Sequence, residues 1–406
     1  MTTKLLSELS TNISSGLTPL RSNPEFWDNG TIPWLKTEQL GEKYIYETNE
    51  HISKAALDKT SIKLFPENSL SIAMYGEGKT RGNLSILKKA MATNQACCNV
   101  AIDPDKADFE YVYYFLRTQY DELRNLSSGV RKNLNSNDIK NYPIRLPENL
   151  DGQKKIANVL KALDAKIELN NRINAELEAM AKTLYDYWFV QFDFPDANGK
   201  PYKISGGKMV YNPTLKREIP EEWSDKTLSQ IANITMGQSP EGSSYNEEGV
   251  GTIFYQGSTD FGWLFPSTRQ YTTAPSRMAK KGDILLSVRA PVGDMNIANT
   301  DCCIGRGLAA LNSKTGSDGF LFYVMKYFKK IFDRRNSEGT TFGSITKNDL
   351  HSLALAYPTA DLLKKYDYVV TNYNKMIFER SLENRELINL RDWLLPMLMN
   401  GQVTVR

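Results

Sequence analysis

Histidine is almost missing from this 406-residue chain, which holds only His51 and His351. With so few, neither a histidine-rich metal cluster nor a histidine-based catalytic triad can be assembled at credible spacing. Cysteine is nearly as scarce, and its four residues stand as two adjacent pairs, Cys97-Cys98 and Cys302-Cys303. Neighbouring cysteines fit neither zinc-ligand nor disulfide-framework spacing, which predicts reduced, partly buried thiols in a cytoplasmic protein. No apolar run is long enough for a membrane span and no apolar signal segment opens the chain, so no membrane association is expected. An excess of one charge is also lacking: 50 Lys plus Arg face 47 Asp plus Glu, a net of +3. Such balance excludes a histone-like binder held by bulk charge, and nucleic-acid affinity must come from local patches.

Catalytic signatures are missing as well. The stretch Gly76-Glu77-Gly78-Lys79-Thr80 imitates a phosphate loop, but a Walker A motif needs glycine where the chain has Ala73. The residues that follow, Arg81 to Leu87, read as a strand and not as the helix whose N-terminus would complete a phosphate cradle. The segment therefore reads as a turn or a DNA-facing loop. The Asn/Asp-Pro-Pro-aromatic signature of base methylation is absent, and Asn141-Tyr142-Pro143 is too degenerate to replace it.

What the chain has is itself, twice. Asn94-Gln95-Ala96 recurs in kind as Gly305-Arg306-Gly307, Asn137-Asp138-Ile139 as Asn348-Asp349-Leu350, and Pro147 as Pro358, each offset by 211 (305−94, 348−137, 358−147). Strand-like Ser69 to Met74 finds its counterpart in Asp283 to Val288, and the buried-helix pattern of Phe109 to Leu123 in Phe320 to Phe332. A period this long signals a duplicated domain. Two similar units suit a ligand with two similar half-sites, and duplex DNA offers equivalent grooves at regular spacing.

Each copy runs into a long helical segment. Ile156, Leu163, Leu177 and Leu184 keep one seven-residue register while Leu160, Ile167, Ala181 and Trp188 keep the other, interrupted by Asn170 and Asn174. In the second copy Val370, Ile377 and Leu398 follow one register and Tyr373, Leu387 and Leu394 the other, with Asn384 in the place of Asn174. The matched asparagines predict that the helices face each other, with Leu163, Ile167, Asn174, Leu177, Leu184, Ile377, Asn384, Leu387 and Leu394 as pairing residues. A helix of 36 residues is about 54 Å long, roughly one and a half turns of B-DNA. The expected organisation is a first mixed domain at 1–147, a central helix at 148–192, a linker at 193–223, a second mixed domain at 224–360 and a C-terminal helix at 361–406. Overall this is an α+β fold, two mixed domains joined by helices paired as an antiparallel coiled coil with pseudo-twofold symmetry. The linker's aromatic density suggests that it docks on something.

Polar, basic loops stand at equivalent positions in the copies: Ser127 to Asn135, and Ser337 to Lys347. Glycine allows close backbone approach, Arg and Lys neutralise phosphates, and Asn, Gln, Ser and Thr hydrogen-bond base edges. On that chemistry the DNA-contacting candidates are Lys36, Thr37, Lys79, Arg81, Asn94, Gln95, Arg131 and Lys132 in the first copy. In the second they are Gln256, Ser258, Arg289, Arg306, Thr340, Thr341 and Lys347. Arg289 and Arg306 suit guanine, and Asn94 or Gln95 suits adenine. Solvated loops use much the same residues, so it is the duplication that raises the case.

These features resemble the specificity subunit of type I restriction-modification enzymes. The resemblance rests on Leu163-Asp164-Ala165-Lys166-Ile167-Glu168-Leu169-Asn170-Asn171, on Tyr187-Trp188-Phe189, on Gly199 to Lys203 with Gly206-Gly207, and on Ile219-Pro220-Glu221-Glu222-Trp223. It implies two target-recognition domains, each binding one half of a split, asymmetric sequence in double-stranded DNA. It implies helices that set the spacer and dock two methyltransferase subunits, which carry S-adenosylmethionine and methylate adenine N6. Two nuclease-motor subunits would add ATP- and Mg-dependent translocation and cleavage. No cofactor and no catalysis would reside in this chain. Three rivals are a methyltransferase in its own right, a coiled-coil adaptor that never touches DNA, and a specificity protein serving another effector.

Overall fold

A buried stripe at steps of three, four and seven residues, Ile156, Leu160, Ile167, Asn170, Asn174, Leu177 and Ala181, runs along the helix Leu150–Tyr185. A π-helical turn, Asp186–Val190, continues it. The C-terminal helix, Ala360–Met399, carries a similar stripe through Tyr366, Val370, Ile377, Asn384, Leu395 and Leu398. The protein, a computed structural model, is described over residues 1–76, 80–126, 133–337 and 344–405. It divides into two units, Met1–Asn170 with Leu382–Arg406, and Asn171–Ser381, so each unit owns part of both long helices.

In the first unit the main sheet runs in the order Ser10–Ser15, Cys97–Ile102, Leu70–Ala73, Leu84–Leu87, Tyr44–Ile45. All four residues of Leu70–Ala73 are buried, as expected of a strand covered on both faces. Leu70 and Ile72 pack with the helix Phe109–Thr118, and Ala73 with Leu35 and Phe65. A smaller sheet places Ile32–Leu35 between Glu50–Ile52 and Ala92–Thr93, the last pairing being parallel. The second unit repeats the plan: Ala232–Met236, Leu308–Ser313, Ile284–Ser287, Met295–Ile297 in one sheet, and Thr252–Tyr255 parallel to Cys302–Ile304 in the other. The strand expected after Arg81 is Leu84–Leu87, and the expected second-copy helix is Asp318–Ser337. The first-copy helix breaks at Gln119 into Phe109–Thr118 and Tyr120–Asn125.

Within each unit the sheet domain is fastened to its helices by different chemistry. In the first, Lys43 Nζ lies 2.8 Å from Glu110 and 3.4 Å from Asp164 of the central helix, and donates to the Tyr114 hydroxyl at 2.6 Å. Tyr114 donates in turn to Asp164, and Arg391 of the C-terminal helix meets the same carboxylate at 3.1 Å. Burial, and then the neighbouring acids, hold the Tyr44 and Tyr114 hydroxyls far above the usual tyrosine range. In the second unit aromatic rings do this work. Phe189 lies 4.8 Å from Phe320 and 5.0 Å from Tyr366, Tyr185 stacks on Tyr323 at 5.9 Å, and Tyr366 donates to the Ala181 carbonyl at 3.2 Å.

The helices pair antiparallel, and the partner of Asn384 is Asn170, whose amide donates to it at 2.9 Å and to Glu383 at 2.8 Å. Antiparallel neighbours have residue numbers of nearly constant sum, 164+391=555 and 170+384=554 in the first unit. Asn174 instead donates to Ser381 in the second unit, at 3.4 Å. Ile167, Leu177 and Ile377 are buried, while Leu163, Leu184, Leu387 and Leu394 are half-buried. The aromatic linker docks on its own unit: Phe192 and Trp223 enter the core, and Phe194 stacks between Tyr202 at 4.7 Å and Trp223 at 5.4 Å. The four cysteines are free and fully buried, and desolvation pushes the Cys97, Cys98 and Cys302 thiols up to about 12.

Candidate nucleic-acid interface

One backbone frame is built twice. In the first unit Asn94 N–H donates to the Leu35 carbonyl, Leu17 N–H to Thr93, Gly16 N–H to Cys97, and Met74 N–H to Ala96. In the second unit Gly305 N–H donates to Tyr255, Gln238 N–H to Ile304, Gly237 N–H to Leu308, and Val288 N–H to Gly307. The loop 94–96 is thus equivalent to 305–307, at the offset of 211, while the turn 16–18 is equivalent to 237–239, offset by 221 (237−16). A Cβ on Gly16 would meet the Thr93 carbonyl oxygen at 2.1 Å, and one on Gly237 would meet the Gly305 oxygen at 2.2 Å, so both turns require glycine. These turns, Gly16-Leu17-Thr18-Pro19 and Gly237-Gln238-Ser239-Pro240, are a further repeat that the sequence reading, although it set Lys36 against Gln256 and Gln95 against Arg306, did not include. The recurring Gly-x-Ser/Thr-Pro pattern was the signal for it.

Each frame holds up three polar side chains. In the first unit Thr18 Oγ1 donates to Gln95 Oε1, and Lys36 stands at the end of the adjoining strand. Lys36 is compensated: it lies 2.7 Å from Glu38 and 2.8 Å from Glu50, whose hydrogen bonds raise its pKa above the usual lysine value. Glu50 also binds Arg21, which lies 3.9 Å over the Trp27 ring and 4.7 Å over Trp34. In the second unit Ser239 Oγ accepts from the Arg306 backbone N–H at 3.2 Å and from Gln256 Nε2 at 3.4 Å. Arg306 is exposed, and among the described residues no carboxylate lies within ion-pair distance of it. Thr18, Lys36 and Gln95 therefore correspond to Ser239, Gln256 and Arg306. Glutamine and cation have exchanged places.

The remaining candidates are scattered around these frames. Ser258 and Arg289 line one cleft of about 280 Å³ with Gly257, Pro291 and Gly307. Arg289 is exposed. Thr37 opens the short 3-10 helix Thr37–Gln39, and Arg81 is half-buried before the strand Leu84–Leu87. Asn94 closes its own loop, its Oδ1 accepting from Ala96 N–H at 3.2 Å. Lys347 is exposed in the first turn of the helix Lys347–Ser352. Lys79, Arg131, Lys132, Thr340 and Thr341 lie outside the described residues. The repeated Asn-Asp-Ile/Leu step has a structural role: Asp138 and Asp349 complete capping boxes with Asn135 and Thr346, and Ile139 and Leu350 are buried beneath.

Among the described residues no group of three or more His, Cys, Asp or Glu is placed to hold a metal ion, and no helix is long and apolar enough to cross a membrane.

A family model described as the type I restriction modification DNA specificity domain matches residues 2–179 and 220–375. The chain is 31% identical, over 75% of its own length and 70% of the relative's, to the putative type I restriction enzyme MjaX specificity subunit of Methanocaldococcus jannaschii. It is 26% identical to the MjaIX specificity subunit of the same organism, over 97% of its own length and 91% of the relative's. The crystal structure of a type-I restriction-modification system S subunit from M. genitalium covers 98% of this chain and 95% of that one, with a TM-score of 0.64 at 18% identity. At that identity the likeness speaks for the fold alone.

Proposed function

The chain belongs to the type I restriction-modification specificity subunits, and on that premise we propose that each of its units reads one half of a split, asymmetric sequence in duplex DNA. The observation that carries this reading is the frame built twice with unlike side chains on it. A repeated scaffold whose polar side chains differ, Thr18, Lys36 and Gln95 against Ser239, Gln256 and Arg306, is what two readers of different half-sites need. Lysines and arginines elsewhere on the loops supply phosphate contacts, which position the protein without carrying sequence information.

The long helices set the spacer between half-sites and dock two methyltransferase subunits. Those partners bring S-adenosylmethionine and transfer the methyl group to adenine N6, and two nuclease-motor subunits supply ATP- and Mg-dependent cleavage. This chain is non-catalytic and acts in the cytoplasm by choosing where its partners work.

Titration of the purified chain with S-adenosylmethionine, and methyl transfer to unmethylated host DNA with and without the methyltransferase subunits, test the division of labour. The expected result is no cofactor binding by the chain alone, and sequence-specific transfer only when both proteins are present. Transfer by the chain alone, or by the methyltransferase at the same sites without it, would refute the proposal.

A further inference from the structure

We propose that the hydroxyl of each Gly-x-Ser/Thr-Pro turn, Thr18 in the first unit and Ser239 in the second, positions one base reader, Gln95 and Arg306 respectively, so that one half-site demands an adenine and the other a guanine. This rests on the half-site reading above and assigns residues within it. The two hydroxyls are equivalent in the frame, and each bonds to the residue at the same loop position from a turn far away in sequence. One such contact is unremarkable on a protein surface; a turn hydroxyl bonded to the residue at the same loop position in both copies, to its side chain in one and to its backbone N–H in the other, marks a functional position.

The two contacts prepare different chemistry. Thr18 donates to Gln95 Oε1, which leaves the amide nitrogen as a donor and the oxygen's second lone pair as an acceptor. A donor beside an acceptor is the complement of adenine N7 and N6. Ser239 instead holds the backbone of Arg306, leaving the guanidinium unengaged. Gly305 and Gly307 flank it because a Cβ at either would approach the Gln256 backbone to 2.9 Å or 2.7 Å, so the loop lies tight on its neighbour and only the arginine projects. Arg269 of the same unit is, by contrast, clamped by Asp260 at 2.9 Å. Two parallel donors fit guanine O6 and N7.

The test maps N6-methyladenine across the genome of a strain lacking the gene, complemented with the wild-type chain or with single variants. Gln95→Ala and Thr18→Val are expected to relax the same adenine in one half-site, with Thr18→Ser restoring it. Arg306→Ala and Ser239→Ala are expected to relax the same guanine in the other half-site. Discrimination at the affected base falls by roughly 5- to 150-fold, and the untouched half-site shows that each variant is folded. An unchanged motif, a uniform drop in methylation over an intact motif, or relaxation of different bases by the paired variants would overturn the inference. A wild-type chain that restores no split motif overturns the parent reading, and this one with it.

Discussion

Asn170 donates its side-chain amide to Asn384 at 2.9 Å, and both residues are buried where the central and C-terminal helices pair. A polar pair in an apolar seam fixes register at a cost in stability. Asn170→Leu removes the donor that Asn384 and Glu383 share. The expected loss is about 1–3 kcal/mol, measured by equilibrium urea unfolding.

Asn174→Leu is expected to act in the opposite direction. Asn174 makes one long bond, 3.4 Å to Ser381, and its Oδ1 is buried without a partner. Leucine removes that unsatisfied oxygen and fills the seam, so unfolding should need about 1 kcal/mol more. A destabilised Asn174→Leu variant would show that this asparagine supports the pairing after all.

Asp164 gathers Lys43, Tyr114 and Arg391 around one carboxylate. Asp164→Ala removes the carboxylate shared by two half-buried cations, while Lys43 keeps Glu110 and Arg391 keeps Asp392, and the expected cost is about 1–3 kcal/mol. Differential scanning calorimetry should show a transition shifted to lower temperature, whereas replacing the exposed Lys155, which pairs with the exposed Asp151, should leave it nearly unmoved.

Burial raises Cys97, Cys98 and Cys302 to about 12, and Tyr44 and Tyr114 beyond the usual tyrosine range. A raised folded-state pKa on a group that ionises to an anion means that the unfolded chain loses its proton first. The stabilisation is fully present below about pH 9, the ordinary thiol value, and is lost as pH rises toward 12. Native protein at pH 8 should therefore resist a thiol reagent that labels the urea-unfolded chain rapidly. Fast labelling of the native protein would contradict the burial.

Much of the fold was legible in the sequence because periodicity and capping are local. The heptad positions announced the long helices, and Asn-Asp-Ile with Asn-Asp-Leu revealed the duplication because in both copies the aspartate serves as the side-chain acceptor that completes a capping box. The site was less legible because it is assembled from segments that only the sheets bring together. Nothing near Lys36 in the sequence says that Glu50 will neutralise it from the neighbouring strand. Thr18 and Ser239 acquire meaning only once their turns lie against the loops carrying Gln95 and Arg306, which stand 77 and 67 residues away in sequence. Asn170 was visible as a break in the heptads, but which asparagine faces Asn384 depends on the antiparallel register.

If the helices set the spacer, a four-residue insertion beside Ala175 should lengthen the non-specific spacer of the target and leave both half-sites intact. A changed half-site sequence, with the spacer unaltered, would refute that role.

The central claim is tested most directly by mapping N6-methyladenine across the host genome in the parent strain and in a strain lacking only this gene. The account predicts that one split, asymmetric motif, methylated in the parent, disappears in the deletion strain and returns on complementation. In a parent whose companion methyltransferase is active, an unchanged methylome after deletion would contradict it.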